Sequence, residues 1–417
     1  MQLRRVLVAL LPLLAAVGCG GATSTAKPTP TPTSTSLNTA ANVADIEAML
    51  NARANSLTRP DRAVFDQTIL PGDRKLRAQE DALFGNLVQL PLRYVTYSAY
   101  QPPGSGAATN AITSFEGGLP HLKMDVDEFI EFDPSPQFPM DVPVTMTFVK
   151  KNGTWYIAAE SEPKYFTKYT YVRPWWGAAV EMGRANGVIA AVDRTSSVSA
   201  ATLARRAADT IAADQQVLGL SGEAPPVLVD ATTNGTVHNW EHNSVGALFL
   251  TNQAAPWLND NTYLIKANPT HVSQLLQDTQ TLRHEIAHLL LAKVDDHAAT
   301  WAREGIAEYV GSYPTEVTFT EYDQGKSALM AQQRALPASS AWGSDPKYDY
   351  SVAHASVLAL IKRAGMPTFL KFLAAYTGKT DAASDGQTAA LLRRFYGISP
   401  MQLVSDAYAQ LSALPIL

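Results

Sequence analysis

The sequence of 417 residues contains a single cysteine, Cys19. A disulfide framework and a zinc site built from thiolates each need at least two cysteines, so both are excluded. Charged residues make up only 17% and the net charge is −5, so the strong basic excess of nucleic-acid-binding domains is missing. We therefore expect no nucleic-acid partner. The chain is long enough for more than one domain, because single cores stop growing near about 250–300 residues.

No apolar run reaches the length of about 18 residues that a membrane-spanning helix needs, but a shorter run lies near the start. Arg4 and Arg5 precede apolar residues 6–17, an order typical of secretory signals. The following Ala-Val-Gly-Cys resembles a bacterial lipobox, which implies cleavage before Cys19 and a lipid on its thiol. The alternative is an ordinary signal with a chance cysteine. We expect residues 1–18 to be a lipoprotein signal peptide.

The segment after the cysteine is rich in proline and threonine and has no large apolar side chain over residues 20–36. Such a segment cannot bury a core, so we expect residues 19–38 to form an extended tether that begins at the lipidated cysteine. The mature chain would then be anchored to a bacterial cell membrane on its extracytoplasmic face.

The next region predicts an α+β domain over residues 39–165. Apolar residues recur at helical spacing over residues 43–57, and a second helical stretch covers residues 73–87. Strand-like runs follow, and Asn152-Gly153 between two of them is a strong hairpin signal. This order of elements resembles the cone-shaped domain of the nuclear-transport-factor-two-like family.

The segment TLRHEIAHLLL, residues 281–291, contains H-E-x-x-H as His284, Glu285 and His288, within a helical pattern over about residues 272–293. Two histidines four residues apart project from one face of a helix, roughly 40° apart around its axis, so one Zn²⁺ can reach both. Glu285 is placed to take a proton from water at the metal. The flanking residues are apolar, and a buried, unpaired His or Glu would be costly, which favours a ligand role over a solvated helix.

A catalytic zinc site needs a third protein ligand. The segment WAREGIAEY, residues 301–309, reads as a second helix with Glu304 and Glu308 on one face. No histidine has the metzincin spacing, because His297 lacks that pattern's glycine. A carboxylate ligand is therefore favoured, and the spacing leaves Glu304 and Glu308 as alternatives.

H-E-x-x-H followed by W-x-x-E-G-x-A-E-Y resembles the gluzincin metallopeptidases, especially the aminopeptidase N and leukotriene-hydrolase branch and its bacterial peptidase MA-like relatives. The resemblance implies that Glu304, before Gly305, is the third zinc ligand and that Glu308 orients a ligand histidine from behind. The gap to Glu304 is a few residues shorter than in the aminopeptidases, whereas Glu308 matches the longer thermolysin-type gap. No aminopeptidase-style G-x-M-E-N segment lies upstream.

Further along, YDYSVA at residues 348–353 resembles the Y-x-K-G-x-A segment of that family. The resemblance implies that Tyr348 donates a hydrogen bond to the developing oxyanion, with Tyr350 and His354 as alternatives. Residues 170–417 as a whole are expected to form a thermolysin/aminopeptidase-like zinc domain, with a small sheet, the zinc helices and a helical C-terminal lobe.

Two other groups of polar residues are expected to carry no chemistry. His238, Glu241 and His242 could suggest a second metal cluster, but they lie in a loop pattern where solvated polar residues are usual. His121 is the one histidine of the first domain, and no acid–histidine pair accompanies it, so we expect a surface or packing role.

The expected function is that of a membrane-anchored, extracytoplasmic zinc metallopeptidase of α+β fold that hydrolyses a peptide or protein substrate. One Zn²⁺ per chain would be held by His284, His288 and Glu304. Two alternatives remain: an inactive or structural-zinc lipoprotein that acts as a binding module, and a hydrolase of cell-wall peptides. The presence of Glu285 argues against a purely structural site, because such a site needs no base.

Overall fold

The computed structural model describes residues 40–90, 92–100, 119–132, 139–161, 173–234, 247–250, 263–277, 279–314, 335–344 and 346–412. The predicted signal peptide, the predicted tether with Cys19, and residues His238, Glu241 and His242 lie outside these ranges. The described part is mixed α/β with two sheets. None of its helices is long and apolar enough to cross a membrane.

The first module consists of three helices and an antiparallel sheet of order β1-β2-β3-β4. Its elements are α1 (Ala40–Thr58), α2 (Arg62–Gln67), α3 (Arg74–Leu87), β1 (Leu92–Tyr100), β2 (His121–Phe132), β3 (Pro139–Lys151) and β4 (Thr154–Ser161). The predicted hairpin between β3 and β4 is confirmed: Asn152 and Gly153 have φ of 53° and 84°, the positive values that a two-residue type I′ turn requires.

Three acidic and two basic side chains are buried together, four of them in this module and the fifth, Arg173, just beyond it. Arg53 donates to Glu80 at 2.5 Å and to Glu160 at 3.5 Å, while Arg173 pairs with Glu128 and lies 3.9 Å from Glu160. Burial and the nearby charge of Glu80 raise the pKa of Glu160 well above its ordinary value. The network therefore sets three carboxyl groups against two guanidinium groups in a region without solvent.

The second sheet has the order β5-β6-β7-β9-β8, with parallel pairing in its centre and an antiparallel strand at each edge. Its elements are β5 (Val180–Ala185), β6 (Val188–Asp193), α4 (Ala200–Leu218), β7 (Val227–Ala231), β8 (Ala247–Leu250) and β9 (Tyr263–Ala267). Helix α4 connects the parallel strands β6 and β7 and packs on β5 and β6, which buries its alanine-rich face.

The two sheet modules share one hydrophobic core. Trp175 is fully buried with residues of the first sheet, and the amide side chain of Asn86 donates to its carbonyl oxygen at 3.0 Å. The Asn86 side-chain oxygen also accepts from the backbone N–H of Val180 at 2.9 Å. The boundary predicted between residues 165 and 170 falls outside the described residues, and the contacts join the modules closely on either side of it.

The remaining elements are helical: α5 (Val272–Gln277), α6 (Thr279–Leu291), α7 (Thr300–Ser312), α8 (Pro346–Ala364), α9 (Met366–Leu373), α10 (Asp381–Tyr396) and α11 (Pro400–Ser412), with a 3₁₀ turn at Ser339–Ala341. Helices α7 and α8 approach closely at Gly305, where a Cβ atom would lie 2.5 Å from the carbonyl oxygen of Ala353. This contact requires glycine, because a Cβ atom would overlap the backbone of α8. Helix α7 also packs against α6.

Candidate metal centre

Helix α6 presents its two histidines from a firmly packed position. Its apolar side chains Leu282, Ile286 and Leu289 are buried in the core that α6 shares with α4 and the second sheet. His284 and His288 lie one turn apart on the face toward α7, as the H-E-x-x-H spacing predicts. The sequence therefore fixes this half of the site through its own apolar periodicity.

Helix α7 brings Glu304 against both histidines. The Nε2 atoms of His284 and His288 are 3.2 Å apart, and the Oε2 atom of Glu304 lies 3.4 Å from the first and 3.5 Å from the second. An ion held tetrahedrally at about 2.0–2.1 Å needs ligand atoms separated by about 3.3–3.4 Å. The three atoms have this spacing, and they are the group that could hold a metal ion within the described residues.

The charges around these atoms favour a cation. Burial acts to lower the pKa of His284, but the carboxylate of Glu308 and the hydrogen bond to Glu304 outweigh it and raise that pKa well above its ordinary value. The pKa of His288 is raised in the same way, mainly by Glu304. Burial opposes ionisation of Glu304, yet the two histidines lower its pKa. Two imidazoles and an ionised carboxylate thus converge, a donor set that suits zinc.

Glu308 lies behind His284 and outside the triangle of ligand atoms. Its Oε1 atom is 2.9 Å from Nδ1 of His284, and Gln280 donates to its other oxygen at 3.4 Å. A carboxylate on Nδ1 keeps the proton on that nitrogen and directs the lone pair of Nε2 toward Glu304 and His288. This arrangement distinguishes the two glutamates that the sequence leaves as alternatives.

Removing the carboxylate of Glu308 should weaken metal binding. We expect E308A to lower the affinity for zinc by about 10–100-fold, because His284 loses the partner that orients it. E308Q should have a smaller effect, since the amide oxygen still accepts from Nδ1–H. Titration against a chromophoric chelator measures both. The exposed Glu223 provides the control E223Q, and unchanged affinity in E308A would contradict the orienting role.

Glu285 follows His284 directly and is buried. Its negative charge contributes to the raised pKa of His284, of His288 and of Tyr350. The carboxylate is therefore within electrostatic reach of the histidine pair and of the tyrosine beside it, the position that a base at this centre requires.

Tyr348 is buried in α8. Its hydroxyl donates to the carbonyl oxygen of Ala335 at 2.9 Å, and its ring packs with Val352 of α8 and Val404 of α11. Tyr348, Val352 and Ala355 follow one another at helical spacing and form a buried apolar stripe. The spacing of this stripe is a sequence signal for a packing contribution of the Tyr348 ring.

Tyr350 is the tyrosine beside the ligand atoms. Tyr350 follows Tyr348 by two residues, which is more than half a turn of α8, so its ring lies on another side of the helix. The centroid of this ring is 6.2 Å from that of the His284 ring. Trp342 meets it edge-on at 5.1 Å. Burial and the charge of Glu304 raise the pKa of Tyr350, so its hydroxyl keeps its proton at neutral pH. His354 is buried, with Nε2 3.3 Å from Oγ of Ser312.

Asp295 is a residue near the centre that the sequence analysis does not single out. It is buried in the link between α6 and α7, and its Oδ2 atom has no hydrogen-bond partner in the described part of the chain. Burial raises its pKa to about 7, while the charge of His288 acts in the opposite direction. Only its place in a short polar link could have suggested it.

His121, for which we expect a surface or packing role, lies in β2 of the first sheet.

The sequence matches no family model and no curated protein. The assignment of a function therefore depends on the geometry of the site.

Proposed function

We propose that the protein is a zinc-dependent metallopeptidase of gluzincin type that hydrolyses peptide bonds. The observation that carries this proposal is the triangle formed by His284 Nε2, His288 Nε2 and Glu304 Oε2, with separations of 3.2–3.5 Å. These three residues would hold one zinc ion. A bound zinc ion supplies a Lewis acid, which polarises a carbonyl group and makes water acidic enough to lose a proton near neutral pH.

Glu285 is the base of the proposed reaction. Its carboxylate takes a proton from the attacking water and then delivers it to the leaving amine. The position of Glu285 supports this role, because it is buried and its charge acts on both histidines.

Tyr350 is the proposed donor to the oxyanion that develops on the substrate carbonyl oxygen. Its hydroxyl keeps its proton, and its ring lies 6.2 Å from the imidazole of His284 and 5.1 Å from the indole of Trp342. A fixed donor aimed at the growing negative charge stabilises the transition state more than the ground state. We therefore transfer to Tyr350 the role that the sequence resemblance assigns to Tyr348.

The second sheet offers a place for an extended substrate. Strand β8 (Ala247–Leu250) lies at the sheet edge beside β9, antiparallel to it, and α6 contacts β8. A peptide that adds to such an edge forms backbone hydrogen bonds that do not depend on its sequence. This geometry supports a thermolysin/aminopeptidase-like domain over residues 170–417 with a peptide or protein substrate.

The proposed location is the extracytoplasmic face of a bacterial membrane. Cys19 would carry the lipid, residues 19–38 would form the tether, and the cone-like domain of residues 39–165 would follow it in the sequence, before the peptidase domain. The basis for this part of the proposal is the lipobox-like segment and the Pro- and Thr-rich composition.

Metal analysis combined with hydrolysis tests the proposal. The purified full chain should contain about one zinc per molecule and should cleave a library of internally quenched peptides. A zinc chelator should remove this activity, and added zinc should restore it. Cleavage that survives complete removal of the metal would refute the proposal. Bound zinc without any cleavage would instead favour a structural zinc site in a binding module.

A further inference from the structure

A groove with a volume of about 430 Å³ runs along α4, between that helix, the start of α6 and the residues that follow α7. This volume is in the range of small-molecule sites, about 300–1,000 Å³. The groove lies on a different side of α6 from the ligand atoms, because Arg283 lines it while the next residue, His284, faces α7. It is therefore separate from the proposed zinc site.

Two arginines line the groove, and one of them already has partners. Nε of Arg283 donates to Oδ1 of Asp214 at 2.7 Å, and a terminal nitrogen of Arg283 donates to the carbonyl oxygen of Tyr313. Burial raises the pKa of Asp214 to about 7, although its hydrogen bond with Arg283 acts in the opposite direction. Arg283 thus joins α6 to α4 and to the end of α7. The carboxyl group of Asp214 already pairs with its positive charge.

The other arginine, Arg206, has a donor that is not used. Its Nε is buried and has no hydrogen-bond partner among the described residues. The neighbouring hydroxyl of Thr210 donates to the backbone carbonyl oxygen of Arg206 at 2.8 Å. Arg206 also lines the groove, so the part of its guanidinium group that the groove reaches can donate to a ligand, whereas the buried Nε is closed to one.

The walls of the groove indicate the rest of that ligand. Val217 and Pro314 are apolar, and the ring of Tyr313 is 46% exposed. Asp209 also lines the groove, but it is exposed to solvent, so its charge is screened.

We propose that this groove binds a small carboxylate carried on an apolar body, with the carboxylate on Arg206. A guanidinium group matches a carboxylate in shape as well as in charge and can hold both oxygens at once. The C-terminal residue of a peptide and a free aryl or alkyl acid share this chemistry. The groove and its ligand do not depend on the proposed peptidase activity, because no residue of the zinc site takes part.

The test compares an acid with its neutral amide on the full chain. Calorimetry should show that 3-phenylpropanoate binds at least about tenfold more tightly than 3-phenylpropanamide, because only the acid can form a charged hydrogen bond. R206Q should remove this difference, whereas the matched control R205Q, which changes an exposed arginine of the same helix, should keep it. D209N should strengthen binding of the acid, since it removes a like charge near the carboxylate.

Several results would overturn the proposal. These are equal binding of acid and amide by the unmodified chain, an undiminished preference for the acid in R206Q, and the same loss in R205Q as in R206Q. Zinc-depleted protein should bind the acid as the zinc-loaded protein does, and loss of binding on depletion would place the acid at the metal instead. A comparison with N-acetylphenylalanine and its amide then distinguishes a peptide terminus from a free acid as the source.

Discussion

Replacing Glu285 by glutamine is expected to leave the zinc content unchanged and to lower kcat for peptide hydrolysis by at least about 10²–10⁴-fold. Glutamine has nearly the same shape as glutamate, so the helix and the ligand atoms of His284 and His288 should keep their positions. It cannot accept a proton from water at neutral pH. The variant therefore removes the proposed base and nothing else.

Three measurements make this result interpretable. Metal analysis should give the same zinc content in E285Q as in the unmodified chain, thermal unfolding should give a similar Tm, and steady-state kinetics should give the loss in kcat. The control is E223Q, which removes an exposed carboxylate far along the chain from α6. If E285Q keeps its zinc and hydrolyses peptides at the normal rate, the mechanism is wrong.

Replacing Tyr350 by phenylalanine should lower kcat by about 10²–10³-fold, the cost typical for loss of one oxyanion donor. Phenylalanine retains the ring beside His284 and Trp342, so the effect isolates the hydroxyl. Because the donor acts mainly in the transition state, kcat and kcat/KM should fall together, with little change in KM.

The matched control is the neighbouring Tyr348. Y348F should keep nearly full kcat but should unfold more easily, by about 0.5–1.5 kcal/mol, because its hydroxyl loses the hydrogen bond to Ala335. Chemical denaturation and kinetics on both variants separate the two roles. A large fall in kcat for Y348F, with Y350F unaffected, would return the oxyanion role to Tyr348.

Local sequence signals predict much of this fold and, in the candidate metal centre, the two histidines. The Asn152-Gly153 hairpin is predictable because the type I′ turn needs positive φ at both positions. The two histidines are predictable because a spacing of four residues on an apolar helix places them one above the other. In both cases the decisive interactions lie within a few residues along the chain.

The remaining features depend on how distant elements pack. Glu304 and Glu308 share a face of α7, and only the position of α7 against α6 decides that one meets Nε2 of both histidines while the other meets Nδ1 of His284. Helix α7 packs against both α6 and α8, and Gly305 allows the close approach to α8. The bonds from Asn86 to Trp175 and Val180 likewise join residues about ninety positions apart, which no local pattern indicates.

The buried network of the first module has a consequence for protonation during folding. An unfolded chain releases the proton of Glu160 near the ordinary glutamate pKa, but burial raises that pKa well above its usual value in the folded protein. Between these two values folding takes up a proton from solvent. The favourable contribution of the protonated group is fully present below the unfolded pKa and is lost as the pH rises through the folded one. For this module, folding is thus linked to the uptake of a proton at Glu160.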